Sequence, residues 1–213
     1  MYAPAHFRID DRQELFRIAA RRSAGTVVIS TPQGFEASLL PWLVEPDPPG
    51  PPRLRGHCAR GNPIASFSEG GVPALVLFEI ADGYVSPSWY PSKAEHHRVV
   101  PTWNYVTVHV RGRLRRVDDP DWLREQVRAL TDRHEEEMER PWAVSDAPPG
   151  WVEGLLRGIV GLELDVESIE GKAKLSQNRG ASDVAGLLDQ LERRPGLERL
   201  AAETRARALP GPR

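Results

Sequence analysis

A single cysteine, two methionines and no long apolar run set the first limits on this chain of 213 residues. Cys58 has no partner for an internal disulfide, and the opening MYAPAHFRIDD has neither the basic start nor the apolar stretch of a secretory signal. Both features point to a cytoplasmic protein. The longest apolar candidate, around Ala74 to Ile80, is closed by Glu79 and Asp82 and falls short of the roughly 18 residues that span a bilayer. No membrane association is expected. Positive charge is not in excess either: the formal net charge is -2 with 27% charged residues, so no global field draws the chain to nucleic acid. What is present, 40% hydrophobic residues, is enough for one main domain with a core.

Periodicity supplies the elements. Asp11 to Arg22 places Leu15, Phe16, Ile18 and Ala19 at helical spacing behind acidic residues that suit a helix start. Thr26 to Ile29, the turn Thr31 to Gly34 and Phe35 to Val44 read as a hairpin. The proline-rich Pro46 to Pro52 reads as a surface loop. A strand over Leu54 to His57 is followed by a short helix from Asn62-Pro63 through Phe67. Pro73 to Ile80 reads as a strand buried on both faces, then a turn Ala81-Asp82-Gly83, a short strand Tyr84 to Ser86 and a long irregular segment, SPSWYPSKAEHHRVVPT. From Trp103, the residues Val106, Val108 and Val110 alternate with Tyr105, Thr107, His109 and Arg111, so this strand has a polar face that lines a site or an interface. A helix over Asp121 to Glu139, a strand from Val160 toward Ile169, a polar basic loop GKAKLSQNRG and two helices, Asp183 to Arg193 and Leu197 to Leu209, complete the chain. About six strands with peripheral helices predict a mostly β fold, a small antiparallel barrel.

Six segments in order along the chain, MYAPAHF, GHCARGNP, YVSPSWY, VPTWNYVTVHVRG, IVGLELDV and EGKAKLSQNR, resemble the PaiB-like family of FMN-binding split barrels, known as negative transcriptional regulators. The pairing of PTWNY before one strand with KLSQN after another is the specific part of the likeness. Cys58 stands where the family more often has a bulkier residue, and Gly61 where it more often has alanine. The resemblance implies a homodimeric split β-barrel over 1–178 that binds a cofactor, with 179–213 a C-terminal helical tail packing on it. Haem-dependent piperazate synthases, which form an N–N bond from N5-hydroxyornithine, look like the same family. The implied cofactor is therefore FMN or haem b, and a flavin-dependent oxidoreductase is a further reading.

The residues that carry these readings are specific. In GHCARGNP, Arg60 offers a fork of donors for a phosphate, with Asn62 and a helix start beside it. His57 in the same segment is the residue the synthase likeness implies as axial haem ligand, and Cys58 adjoins it. Ser86, Trp89, Trp103, Asn104, Gln177 and Asn178 are further cofactor-binding candidates, and Lys172, Lys174 and Ser176 are the catalytic candidates if the chain is such an enzyme. Each has a plainer reading: His57 as a strand-end residue bonded to a carbonyl, Asn62 as a helix cap, the tryptophans as core or interface anchors, the lysines as a solvated loop. Adjacent His96 and His97 with His109 and Cys58 lack the fixed spacing of a zinc site. The partners expected are a second copy of the chain and a small-molecule substrate or effector. Direct DNA binding is disfavoured, because Arg193, Arg194, Arg199, Arg205 and Arg207 are interleaved with Glu192, Glu198 and Glu203.

Overall fold

The structure, a computed structural model, describes residues 1–45, 50–67, 70–148 and 150–208. Among them seven strands form one mostly antiparallel sheet: β1 (Arg8–Ile9), β2 (Ala24–Thr31), β3 (Gly34–Val44), β4 (Arg53–Ala59), β5 (Val72–Val85), β6 (Thr102–Val117) and β7 (Ile159–Lys174). The order is β1-β7-β4-β3-β2-β5-β6, and β6 pairs back onto β7. Peripheral helices are α1 (Arg12–Arg22), α2 (Ser92–His96), α3 (Pro120–Glu135), α4 (Trp151–Leu156), α5 (Ala181–Glu192) and α6 (Glu198–Ala208).

The chain divides into two compact units, and the long strands β5, β6 and β7 each contribute to both. The unit of 16–78 and 110–169 holds the hairpin β2–β3, β4 and one half of each long strand. Its registers set the faces. Trp42 stands opposite Gly56, and Leu54 and Gly56 stand opposite Leu164 and Leu162, so these residues share the inner face with Cys58 and Val160. Trp42 is fully buried and donates from Nε1 to the Gly25 carbonyl at 3.1 Å, which satisfies its one polar atom in the core. A side chain at Gly56 would meet the Trp42 ring at 3.0 Å, so glycine there makes room for the indole. The outer face of the same pairing carries Arg55 and His57 beside Glu163 and Gly161.

The other unit, 1–15, 79–109 and 170–213, gathers the remaining halves of those strands with β1, α2, α5 and α6. Its core is formed by Ile80, Val85, Val106 and Val108 of the strands with Leu187, Leu191 and Leu200 of the helices, all buried. A short strand the sequence does not announce, β1, pairs Arg8 with Lys172 and Ile9 with Gly171.

Several expectations are corrected. The turn Ala81-Asp82-Gly83 does not form: Pro73 to Ser86 is nearly all one strand, and Gly83 is small because a side chain would meet Leu200 and Leu197 at 2.9 and 3.0 Å. That strand is not buried on both faces, since Pro73 and Glu79 are exposed and burial alternates through Val76, Phe78 and Ile80. The GKAK part of the basic loop is strand, the end of β7. Helix α3 stops at Glu135, and the rest of the HEEEMER stretch, Glu136 to Arg140, is turn and bend. Asn62 to Phe67 gives only the 3-10 turn Pro63–Ala65, and the segment after Val85 contains another, Pro87–Trp89, and then α2. Helix α4 lies between the expected helix ending at Glu139 and the expected strand from Val160, where no element was expected. Pro46 to Pro49 of the proline-rich loop and Leu209 of the last helix lie outside the described residues. No described helix is long and apolar enough to cross a membrane.

Candidate functional site

The segment His57 to Pro63 lies in the unit that holds β4. His57 projects from the outer face, opposite Gly161, where a side chain would meet the Trp122 ring of α3 at 2.4 Å. Indole and imidazole therefore share one face of the sheet. His57 Nδ1 is buried without a hydrogen-bond partner among the described residues, and burial alone pushes its pKa below the ordinary histidine value. The ring is a neutral imidazole near pH 7. Cys58 points the other way, into the core, and burial pushes its thiol pKa up, away from reactivity. Arg60 is engaged at all three of its donor positions: Nη1 to Asp118 at 2.6 Å, Nε to the Arg157 carbonyl at 3.2 Å and Nη2 to the Ile159 carbonyl at 2.8 Å. Asn62 caps the following turn, accepting from the Ile64 amide at 3.0 Å, and pairs with Ser38.

The other candidates fall in the unit of β1, α5 and α6. Ser176 takes a left-handed backbone, φ 68°, and is buried at the centre of a polar cluster. Its hydroxyl is 2.9 Å from the Tyr90 hydroxyl and accepts from Asn104 Nδ2 at 3.1 Å, with Asn104 fully buried. Gln177 clasps its own loop, accepting from the Leu175 amide at 2.7 Å and donating to the Ala173 carbonyl at 2.6 Å; Asn178 is exposed. Ser86 caps the turn at Pro87, and Trp89 lies under the Arg194 guanidinium, 4.4 Å from the ring centre. Lys174 donates to the Thr102 hydroxyl and the Trp103 carbonyl. Lys172 is different. It is only 9% exposed and has no carboxylate partner among the described residues: its ammonium donates to the Tyr2 carbonyl at 3.2 Å and lies between the Tyr2 and Tyr105 rings, 5.6 and 5.2 Å from their centres.

Tyr105 also lines an open groove of about 300 Å³ with Glu79, Asp82, Trp103, Thr107 and His109, formed by the outer faces of β5 and β6. Trp103 is 51% exposed, meets Tyr84 edge to face at 6.4 Å and is steadied by a bond from its Nε1 to Asp82 at 2.9 Å. The exposed indole of Trp103, braced by the Tyr84 edge, offers a face on which a flat ring can stack. Sequence reasoning nominated Trp103 but not Tyr84, Tyr105 or Lys172's aromatic setting. The alternating polar face of the strand from Trp103 was the signal for the groove.

Comparison with known proteins decides the family. The profile of the family described as "Putative FMN-binding domain" matches residues 1–168. The chain belongs to that family. It is 33% identical over 203 residues to the protease synthase and sporulation protein PAI 2 of Bacillus subtilis, covering 94% of this chain and 95% of that one. Among solved structures it is similar to the FAD and heme binding protein of Mycobacterium smegmatis, with TM-score 0.55 and 19% identity over 84% of this chain and 78% of that one. It is also similar to the flavocytochrome Anf3 of Azotobacter vinelandii, TM-score 0.54 and 15% identity, over 84% and 75% of the two chains. The PaiB-like resemblance and the split-barrel fold expected from it are thus borne out.

Proposed function

We propose that this protein binds FMN, with the flavin ring held against Trp103 and Tyr105 and with Lys172 supplying the positive charge for its phosphate. The observation that carries this reading is the exposed aromatic groove beside a buried lysine that lacks a carboxylate partner. A flat, anionic cofactor satisfies both features, whereas Arg60, the phosphate fork expected from sequence, already holds Asp118 and two carbonyls. FMN, when bound, supplies one- and two-electron redox chemistry. The protein's own residues bind and orient it.

Haem is the second reading, favoured by the neutral imidazole of His57. A metal-ligating histidine commonly donates its other ring N–H to an acceptor, and Nδ1 of His57 has none among the described residues, which weakens that reading. The N–N bond-forming enzyme of the piperazate-synthase kind loses support with it. Of its three catalytic candidates, Ser176 is enclosed by Tyr90 and Asn104, and Lys174 is tied to the strand beside it.

A homodimer accompanies the proposal. Leu39 and Ala37 of β3 stand opposite Thr26 and Val28 of β2, which in turn stand opposite Leu77 and Leu75 of β5. These six residues are uncharged, with Glu79 of β5 next along the same face, and Leu39 and the neighbouring Phe35 are 65% and 82% exposed. A second copy covers it. Direct DNA reading is disfavoured: Arg205 pairs with Glu192, Arg207 with Glu203 and Glu14, and Arg193 with Asp189. A cytoplasmic regulator or redox protein responding through its flavin is the function these features favour. Visible spectra of purified protein after addition of FMN or haem test the choice: a retained flavin band supports the proposal, and a haem band lost in His57→Ala with no flavin retained reverses it.

A further inference from the structure

A second groove, of about 280 Å³, lies in the unit of β4 and α3, between the start of α3 and the helix α4. Its apolar floor is Pro120, Leu123 and Leu156. Its charged rim is unequal: Arg124, also on the rim, is paired with Asp121 at 2.6 Å. Arg60 and Asp118 neutralise each other, and Asp118, held by Arg116 and Arg60, has its pKa pushed below the usual carboxylate range. Glu153 and Arg157 stand one helical turn apart, acid before base, the arrangement that normally closes into an ion pair. They do not close it, and neither side chain has another partner among the described residues. One carboxylate and one guanidinium thus flank an apolar floor, both open to a ligand.

We infer that this groove binds a free α-amino acid with an aliphatic side chain. Arg157 takes the ligand's carboxylate through its planar fork of donors, Glu153 takes the ammonium, and the side chain lies on Leu123 and Leu156. A ligand of one charge leaves the opposite rim group unmatched, and a purely polar zwitterion leaves the floor wet, so both charges and an apolar body are needed together. The site is separate from the aromatic groove and does not rest on flavin binding.

The test is a chemical-shift titration with L-leucine, 4-methylpentanoate and 3-methylbutylamine, repeated with FMN present. Leucine is expected to give saturable shifts at Glu153 and Arg157 with a dissociation constant on the order of 1 mM, and each half-ligand to bind about tenfold more weakly. Glu153→Gln and Arg157→Gln, both exposed side chains, are each expected to weaken leucine about tenfold with unchanged circular dichroism. The unaltered protein decides the matter even if a variant fails to fold. No saturable shift with leucine, or 4-methylpentanoate binding as tightly as leucine, overturns the inference. Displacement of leucine by FMN also overturns it, by making the groove part of the cofactor site, whereas leucine binding in a protein that retains no FMN sustains it alone.

Discussion

Arg60 and Asp118 meet at 2.6 Å, and the same guanidinium ties down the carbonyls of Arg157 and Ile159. The arginine therefore joins the end of β4 to the start of β7 and the approach to α3. Arg60→Ala is expected to cost about 1 kcal/mol of unfolding free energy, because carbonyls lose donors and exposed ion pairs add little. FMN affinity is expected to stay within about twofold of the unaltered protein, on the scale where 1.4 kcal/mol is tenfold. Urea unfolding and flavin titration of the same variant separate the two effects.

Ser176 is expected to be structural. Ser176→Ala leaves Asn104 Nδ2 and the Tyr90 hydroxyl buried without their partner and keeps a side chain at φ 68°, a combination that costs about 1–3 kcal/mol. Ser176→Gly relaxes the backbone but not the lost bonds, so it should fall between. Chemical denaturation of the two variants checks the order.

His57 predicts a pH dependence with a definite sign. Its folded pKa lies below the ordinary value of 6.5, so as pH falls through 6.5 the unfolded chain takes up a proton that the folded chain does not. Stability is unaffected above that pH and declines below it, by at most about 1.4 kcal/mol per pH unit for one proton. His57→Phe should flatten this part of the profile. An unchanged acid slope in the variant assigns it to other groups.

If the proposed dimer forms through the apolar face of Leu39, Phe35, Leu75 and Leu77, Leu39→Glu dissociates it. Since Leu39 is 65% exposed in the single chain, the thermal midpoint at low concentration should hold while the sedimentation coefficient falls to that of a monomer. A variant that sediments like the unaltered protein places the contact elsewhere.

Much of the fold was legible because burial imposes a period. The alternation at Val106, Val108 and Val110 announced β6 and its polar face, and the hairpin from Thr26 to Val44 was evident from its turn. What failed was punctuation: Ala81-Asp82-Gly83 reads as a turn, yet its glycine answers to Leu197 and Leu200, more than a hundred residues later in the chain. At the candidate site, sequence names residues but not their surroundings. Arg60 has the chemistry of a phosphate fork, but only the structure reveals that Asp118 and two carbonyls already hold it. Lys172 looked like one of a solvated basic pair until the Tyr2 and Tyr105 rings closed over it.

The most direct measurement of the central claim is equilibrium dialysis of FMN against the purified protein, Trp103→Ala and His57→Ala. The account predicts saturable retention by the unaltered protein and by His57→Ala, with Trp103→Ala raising the dissociation constant about tenfold through lost stacking. FMN at equal concentration on both sides of the membrane, or retention abolished by His57→Ala and untouched by Trp103→Ala, would contradict it.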